Sequence, residues 1–302
     1  MWRPIRWSPT YWRAPRRTDL LSPNETARLD RLTLGSAASH AAASTAGLRH
    51  ARARGYGLEV SDHRPYRAGD DPRQIDWNAE ARLRQLSVRV HEAEGQAHVH
   101  VALDTSQSMA AKLDWAAKIA AALTYVAIAR RDLAGLTLFD RTLRTHLPAA
   151  RGRVHLHRAL ERLAAARPAN ASRLSPVFSE LAHRVPPPAF VVVISDFYSP
   201  GFGLDGLAAI AARGLDPAVV QVVAKEEAEP SVPDGSRLTD VEGPGSTYAN
   251  LARYRARFSQ MTKDIAAHCR AHGMPYVQLR SSMSFEHALD ALIQASVIAG
   301  RR

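Results

Sequence analysis

From residue 97 onward, short apolar segments alternate with longer segments of helical spacing. His98–Leu103 and Phe190–Ser195 are rich in β-branched or apolar residues, as central strands covered on both faces are. Helical patterns run, for example, over Leu113–Arg131 and Leu251–His272. Strands that alternate with such helices need crossover connections and therefore form a mostly parallel sheet. The pattern predicts an α/β domain with a doubly wound sheet over residues 97–302.

The other segments of this region continue the alternation. Proline or glycine lies near the end of several of them, as expected at element boundaries. We predict helices over Val154–Ala166, Ser172–Val185, Leu204–Arg213 and Phe285–Ala299, and strands over Leu136–Phe139, Thr142–Leu147, Ala218–Val223 and Tyr276–Leu279.

The first 96 residues have a different composition. Residues 1–54 carry ten arginines against three acidic residues, a net charge of +7, whereas the remaining residues sum to +4. Three tryptophans are interleaved with the first arginines. This pattern suits an anionic membrane surface or nucleic acid, and equally tryptophans that pack on the main domain. Residues 55–96 contain turn signals and alternating runs such as Leu86–Val90, which predict a small β-rich lobe. We expect three parts, bounded at 1–54, 55–96 and 97–302.

Composition excludes several classes of protein. Of the 302 residues, 46% are hydrophobic and 23% charged, as in globular proteins and not in disordered ones. The single cysteine, Cys269, cannot form an internal disulfide and fits a reducing compartment. The apolar runs are too short for a membrane span of about 20 residues, and the N-terminus lacks the pattern of a secretory signal. We therefore expect a cytoplasmic protein.

Two of the predicted central strands end in an aspartate. Asp104 is followed by Ser106 and Ser108 at alternate positions, and Asp196 follows the strand that ends at Ser195. The carboxyl ends of neighbouring parallel strands meet at one edge of the sheet, so these oxygens are expected to converge. Carboxylates and hydroxyls suit Mg²⁺, Mn²⁺ or Ca²⁺ and not zinc. Small polar residues after a strand also cap helices, which is the alternative explanation.

The D-x-S-x-S pattern resembles the metal-ion-dependent adhesion site of von Willebrand factor A domains. The resemblance implies that Asp104, Ser106 and Ser108 hold Mg²⁺, with Asp196 as the later aspartate of the site. Ser172 stands where that family has a threonine, and it is either a ligand or a helix N-cap. Serine hydroxyls that bind directly, with aspartates that act through water, leave the ion with an incompletely neutralised charge. Such an ion attracts a Glu or Asp of a partner protein.

A second resemblance covers roughly residues 45–300. Arg64–Trp77 reads RPYRAGDDPRQIDW and is followed by Ala81-Arg82 and Glu92-Ala93-Glu94. It is similar to the bacterial family known as domain of unknown function 58, in which Y-x-x-G-D-x-x-R-x-I-D-W precedes a von Willebrand A-like half. The resemblance implies a partnership with a MoxR-type AAA+ ATPase, in chaperone-like work, protein maturation or the assembly of complexes. It also implies a client protein that offers a carboxylate to the metal.

We therefore expect a non-enzymatic, metal-dependent protein-binding module. Two alternatives from other classes stay open. A bound Mg²⁺ could act as a Lewis acid in the hydrolysis of phosphate esters. The basic N-terminus could contact a membrane peripherally through residues 1–20; nucleic acid is not expected as a partner. His268 and His272 at i, i+4 of a predicted helix lack the further residues of a zinc motif.

Overall fold

The structure, a computed structural model, describes most of the chain from residue 97 and parts of the sequence before it. The chain divides into two compact units. Residues 40–96 form one, and residues 1–39 together with 97–302 form the other. Residues 2–17, with the interleaved tryptophans and arginines, lie outside the described residues, as does most of the Arg64–Trp77 motif. The described residues are 20–34, 60–66, 86–91, 97–230, 237–239, 246–248 and 250–300.

The elements of the described chain are as follows. The helices are α1 (Pro23–Leu29), α2 (Leu113–Ala129), α3 (Arg153–Ala165), α4 (Leu174–Arg184), α5 (Leu204–Ala212), α6 (Lys225–Ala228), α7 (Leu251–Ala271) and α8 (Phe285–Gln294). The strands are β1 (Leu32–Leu34), β2 (Val60–Pro65), β3 (Ser87–His91), β4 (His98–Asp104), β5 (Leu133–Phe139), β6 (Leu143–Ala150), β7 (Phe190–Ser195), β8 (Asp216–Val223), β9 (Arg237–Thr239), β10 (Ser246–Tyr248), β11 (Tyr276–Arg280) and β12 (Ile298–Gly300).

The larger unit is built on a six-stranded sheet in the order β11-β8-β7-β4-β5-β6. Four of its five pairings are parallel, and only β5 with β6 is antiparallel. The antiparallel pair follows from the short turn between β5 and β6, whereas each parallel pair needs a longer crossover, usually helical. The predicted α/β fold with a mostly parallel sheet flanked by helices is confirmed.

Helices cover both faces of this sheet. Along β7, Val192 and Ile194 contribute to one apolar core, and Val191 and Val193 contribute to the other, because successive side chains of a strand point to opposite faces. The first core joins α1, α2, α3 and α8, and the second joins α4, α5 and α7. All six side chains of β7 are buried, as predicted for a central strand. Among the described helices, none is both long and apolar enough to span a membrane.

Part of the predicted N-terminal extension packs on the α/β domain. Helix α1 begins with a capping box between Ser22 and Glu25, and Lys118 of α2 forms an ion pair with Glu25 at 2.6 Å. Leu29 is completely buried in the first core. Strand β1 pairs antiparallel with β12, the C-terminal strand. Residues 20–34 are therefore an integral part of the larger unit.

The last predicted helix is too long. It was expected over Phe285–Ala299, but α8 ends at Gln294 and the chain continues as β12. Ser296 has a φ of 60°, a left-handed conformation that interrupts the helix. Ile298, which the helical pattern had included, pairs instead with Leu34 of β1.

Two small antiparallel pairs complete the described chain. In the unit of residues 40–96, β2 pairs with β3, and the pairing is continued by a hydrogen bond from Tyr66 N to Leu86 O of 2.9 Å. This antiparallel pair accounts for the described part of the predicted β-rich lobe. Separately, β9 pairs with β10 in the segment between α6 and α7.

A buried histidine of β4 fills the space that a glycine leaves on the neighbouring strand. The ring of His100 donates or accepts a 2.7 Å hydrogen bond with Thr137 Oγ1, which in turn bonds His146 Nδ1 at 2.9 Å. The rings of His100 and His146 are stacked, with centroids 5.3 Å apart. A Cβ on Gly135 would lie only 2.3 Å from His100 Nδ1. Glycine is therefore required where the ring crosses β5.

We expect Gly135→Ala to reduce the free energy of unfolding by about 2–3 kcal/mol, because the added methyl group overpacks the space beneath His100. Urea denaturation measures the loss. The matched control is the same substitution in a His100→Ala background, where the ring is absent and the cost should shrink to under about 1 kcal/mol. An equal cost in both backgrounds would contradict the assignment of the clash to His100.

His100 also predicts an acid-sensitive contribution to stability. Burial, together with repulsion from His146 and His98, lowers the pKa of His100 to about 3. The pKa of His100 in the folded chain lies below the unfolded value of about 6.5. The free energy of unfolding is therefore unaffected by the titration of this residue above pH 6.5 and decreases as the pH falls toward 3. The loss is on the order of 5 kcal/mol at most. Urea denaturation from pH 7.5 to pH 4 should show a steeper decline for the native chain than for His100→Gln, which cannot take up a proton. Parallel declines would contradict the prediction.

Candidate metal centre

Three adjacent parallel strands each bring a carboxylate to the same edge of the sheet. Asp104 is the last residue of β4, Asp196 directly follows β7, and Glu227 lies in α6, four residues after β8 ends. All three lie at the carboxyl ends of their strands, where doubly wound sheets bind ligands. Asp104 and Asp196 were predicted from the sequence, and Glu227 was not. The edge therefore holds more negative charge than the sequence indicated.

The D-x-S-x-S segment folds so that its polar side chains converge. Asp104 Oδ1 accepts a 2.8 Å hydrogen bond from the backbone N–H of Ser106. The hydroxyls of Ser106 and Ser108 lie 3.1 Å apart, and Ser108 belongs to a single 3-10 turn, Gln107–Met109. The structure thus brings these three predicted ligands together. Asp104 and Ser106 are completely buried, and Ser108 is 8% exposed.

Two further serines contact the other oxygen of Asp104. Ser195 Oγ donates to Asp104 Oδ2 at 2.7 Å, and Ser172 Oγ donates to the same atom at 3.4 Å. Ser172 does not cap the following helix: the N-cap of α4 is Arg173, and Leu174 N donates to Ser199 Oγ instead. The structure therefore places Ser172 in the cluster and gives it no capping role.

The loop that carries Ser172 is anchored beside the D-x-S-x-S segment. Asn170 has a φ of 56°, and its carbonyl accepts a 2.8 Å hydrogen bond from Gln107 N. Its side-chain amide donates to Asp140 Oδ2 at 2.7 Å. Asparagine adopts this left-handed conformation more readily than most residues. The amide and the backbone together hold Ser172 near Asp104.

Asp196 is oriented by a strained turn. The next residue, Phe197, is completely buried and has a φ of 64°, which is rare for a bulky side chain. This turn lets Phe197 N donate to Ser195 Oγ at 2.9 Å, and Tyr198 N donate to Asp196 Oδ1 at 3.0 Å. Strain of this kind persists where the surrounding structure enforces it, and it clusters at functional sites. Here it aims the Asp196 carboxylate into the cluster.

A buried lysine occupies the other side of Asp196. Lys112 Nζ lies 2.9 Å from Asp196 Oδ2 and donates hydrogen bonds to both carboxylate oxygens of Glu227, at 2.5 and 2.7 Å. It also lies 4.6 Å from the centre of the Tyr198 ring. The Lys112 and Asp196 side chains are both completely buried. Asp196 therefore meets Lys112 through one oxygen, whereas Glu227 meets it through two.

Burial and mutual repulsion perturb the carboxyl groups of the cluster. Burial raises the pKa of Asp104, and the Asp196 carboxylate raises it further, to about 7, against the hydrogen bonds from Ser195 and Ser106. Burial also raises the pKa of Glu227, although its pairing with Lys112 opposes the shift. These shifts express a common cause, which is negative charge held in a region without water.

Lys112 does not neutralise the whole cluster. Burial by itself would lower the pKa of Lys112, but the carboxylates of Asp196 and Glu227 outweigh burial and raise it. One ammonium then faces three carboxylates, including that of Asp104, so that two negative charges are left over when all are ionised. A divalent cation at this edge would balance those two charges.

The donor set fits a hard divalent cation at Asp104. Carboxylate and hydroxyl oxygens are ligands of Mg²⁺, Mn²⁺ and Ca²⁺. Within the described part of the chain, no three His, Cys, Asp or Glu side chains are grouped as a metal site by themselves. Serine hydroxyls would therefore have to complete the coordination, with Asp196 contributing the carboxylate that contacts Lys112 and Tyr198 N. The residues that would hold the ion are Asp104, Ser106, Ser108, Ser172 and Asp196.

Sequence reasoning missed Lys112, Ser195 and Glu227. Ser195 and Glu227 carried a usable signal, because both lie at or after the carboxyl end of a predicted central strand. Lys112 carried a weaker one. It is one of only four lysines in the chain, and it stands four residues after Ser108, directly before a helix whose first residue is Leu113.

Residues 62–268, more than half of the chain, match the family model described as protein of unknown function DUF58. Two bacterial relatives are similar over most of their length. Uncharacterized protein Rv1480 of Mycobacterium tuberculosis and uncharacterized protein Mb1516 of Mycobacterium bovis are each 28% identical over 240 residues, which cover 75% of this chain and 76% of the relative.

Two solved structures share a distant likeness with the chain. The conserved hypothetical protein BatB from Bacteroides thetaiotaomicron has a TM-score of 0.43 and 20% identity, and covers 66% of this chain and 98% of its own. An aerotolerance-related membrane protein from Bacteroides fragilis has a TM-score of 0.42 and 15% identity, and covers 67% and 98%. Likeness at this level supports no functional inference.

Asn170→Asp tests the anchoring of the Ser172 loop. The introduced carboxylate would face the buried carboxylate of Asp140, so we expect a loss of about 2–3 kcal/mol in the free energy of unfolding at pH 7. The loss should shrink near pH 4, where protonation of one carboxyl restores a hydrogen bond. The control Asn170→Gly retains the left-handed backbone and should cost about 1 kcal/mol at both pH values. A loss for Asn170→Asp that does not change with pH would contradict the prediction. Urea denaturation measures both variants.

Proposed function

We propose that this chain, which belongs to the family of proteins of unknown function DUF58, is a von Willebrand factor A-like module that binds another protein through a divalent cation. The ion we expect first is Mg²⁺, with Mn²⁺ or Ca²⁺ as substitutes. The observation that carries the proposal is the buried convergence of Asp104 with the hydroxyls of Ser106, Ser108 and Ser172 at the carboxyl edge of the sheet.

The chemistry of these donors favours binding over hydrolysis. Serine hydroxyls are neutral ligands, so an ion held mainly by them retains positive charge and attracts an external carboxylate. The Ser106 and Ser108 hydroxyls bond each other at 3.1 Å, and the carboxylate beside Ser106 is Asp104, which the proposal assigns to the ion. We therefore propose a non-enzymatic module whose partner supplies a Glu or Asp side chain.

The exposed fractions indicate the side from which that carboxylate arrives. Asp104, Ser106 and Asp196 are completely buried, whereas Ser108 and Ser172 retain 8% and 4% exposure. An external ligand therefore approaches along Ser108 and Ser172. Exposure this small means that side chains there have to move when the partner binds.

The partner we propose is a MoxR-type AAA+ ATPase acting with a client protein, in protein maturation, chaperone-like work or assembly of complexes. This assignment rests on the family resemblance of the Arg64–Trp77 motif and on membership of the family. We place this activity in the cytoplasm, with peripheral membrane contact through residues 1–20 as a secondary proposal.

Removal of the metal tests the proposal directly. In a pull-down with a MoxR-type ATPase from the same organism, we expect capture in Mg²⁺, loss of capture in EDTA, and loss in Asp104→Ala at any Mg²⁺ concentration. Mg²⁺ should also raise the unfolding temperature of the native chain and leave that of Asp104→Ala unchanged, because a ligand stabilises only a fold that binds it.

The matched control is Asp205→Ala, which removes an exposed aspartate from the first turn of α5 and should bind as the native chain does. Equal capture by the native chain, the EDTA-treated chain and Asp104→Ala would overturn the metal-dependent module. Release of phosphate from a generic phosphoester that depends on Asp104 would favour the hydrolase instead.

A further inference from the structure

Lys112 is among the largest completely buried side chains of the described chain, and it is a cation. The enclosure of an ammonium is costly unless charged partners and hydrogen bonds compensate for the lost water. Glu227 supplies two hydrogen bonds, Asp196 supplies a third contact of 2.9 Å, and the ring of Tyr198 covers a further side. These contacts replace the water that the ammonium loses on burial and hold it in the cluster.

Lys112 and three of the five proposed metal ligands belong to one short stretch of chain. The 3-10 turn Gln107–Met109 leads directly to Lys112, whose backbone N–H donates to Met109 O at 2.9 Å. Its own carbonyl accepts from Ala116 N at 2.9 Å in the first turn of α2. A stretch of nine residues, from Asp104 to Lys112, therefore supplies Asp104, the hydroxyls of Ser106 and Ser108, and the internal cation.

The two carboxylates that Lys112 contacts are held unequally. Glu227 bonds both of its oxygens to Lys112, and Oε2 also accepts from Ala224 N at 2.8 Å. Its carbonyl accepts from Tyr254 Oη at 2.9 Å, which fastens α6 to α7. Asp196, by contrast, meets Lys112 through one oxygen only, at 2.9 Å, against the two oxygens of Glu227. The contact with Asp196 is therefore the one that Lys112 can give up.

We propose that Lys112 is a resident cation that competes with a divalent ion for Asp196 and thereby sets the metal affinity of the centre. This inference rests on the proposed function, because it concerns the same site. Without metal, the ammonium contacts both Asp196 and Glu227. With metal, Lys112 retains Glu227 and releases Asp196 to the ion. Lys112 is thus a positioning and affinity-determining residue and not itself a ligand.

Removal of the competing charge should tighten metal binding. The probe is Mn²⁺, whose free concentration is read from its electron paramagnetic resonance signal during titration of the full chain. We expect Lys112→Met to bind Mn²⁺ at least about tenfold more tightly than the native chain, because one positive charge has left a buried site. Asp104→Ala in the Lys112→Met background should abolish this binding. Lys118→Met, which removes a partly exposed lysine of α2, should leave the affinity unchanged.

The stability of the same variants gives a second readout. In EDTA, Lys112→Met leaves two buried carboxylates without a counter-ion, so its unfolding temperature should fall well below that of the native chain. Saturating Mn²⁺ should restore most of the loss. If Lys112→Met fails to fold without metal, the double variant Lys112→Met/Glu227→Gln removes one of the stranded charges. It should fold in EDTA and still bind Mn²⁺ more tightly than the native chain.

The outcomes separate the two proposals. Equal Mn²⁺ affinity in the native chain and both lysine variants overturns the role of Lys112 and leaves the metal-binding module standing. Binding by Lys112→Met but not by the native chain supports the competition and overturns metal dependence in the native chain. Absence of binding in every variant overturns both. If Lys112→Met and Lys118→Met both bind Mn²⁺ more tightly than the native chain, the effect is one of net charge. That result would overturn the specific role of Lys112.

Discussion

The register of β4 between its two parallel neighbours is the constraint on which the candidate metal centre depends. β4 pairs with β5 on one side and β7 on the other, and Leu103 lies opposite Ile194. The next residue on each strand is therefore Asp104 on β4 and Ser195 on β7, whose side chains form a 2.7 Å hydrogen bond. Because β4 is buried on both faces, a slip of one residue would exchange the two apolar cores and remove this pairing.

Much of this arrangement could be predicted because its signals are local. The apolar run Phe190–Ser195 identifies a central strand by itself, and Asp196 acquires its meaning from following it. The D-x-S-x-S segment at Asp104 is interpretable for the same reason. The resemblance carried by Arg64–Trp77, residues largely outside the described chain, is confirmed at the level of the family. The predicted end of the last helix was wrong because β12 forms only by pairing with β1, which lies more than 260 residues away in the sequence.

The residues that sequence reasoning missed meet only through the tertiary structure. Lys112 and Glu227 are 115 positions apart, and no local pattern indicates that the first is buried with the second as its counter-ion. A lysine before an amphipathic helix ordinarily stays in water. Ser172 was ambiguous for a related reason. Whether it caps α4 or contacts Asp104 depends on the anchoring of its loop by Asp140 and Gln107, and neither is near in sequence.

The charges of the cluster bear on how an ion would be used. A buried ion pair is weak evidence for stability, because apolar residues of similar size often replace one at no cost. Here Lys112 forms ion pairs with Asp196 and Glu227. Burial and the Asp196 carboxylate raise the pKa of Asp104 to about 7, and Asp104 accepts hydrogen bonds from Ser195 and Ser106. The fold therefore has its own means of tolerating these carboxylates when no ion is present. A metal site whose domain folds only when the ion is bound needs no internal counter-ion. A built-in counter-ion is what a centre requires if it is to load and release its ion while the domain stays folded.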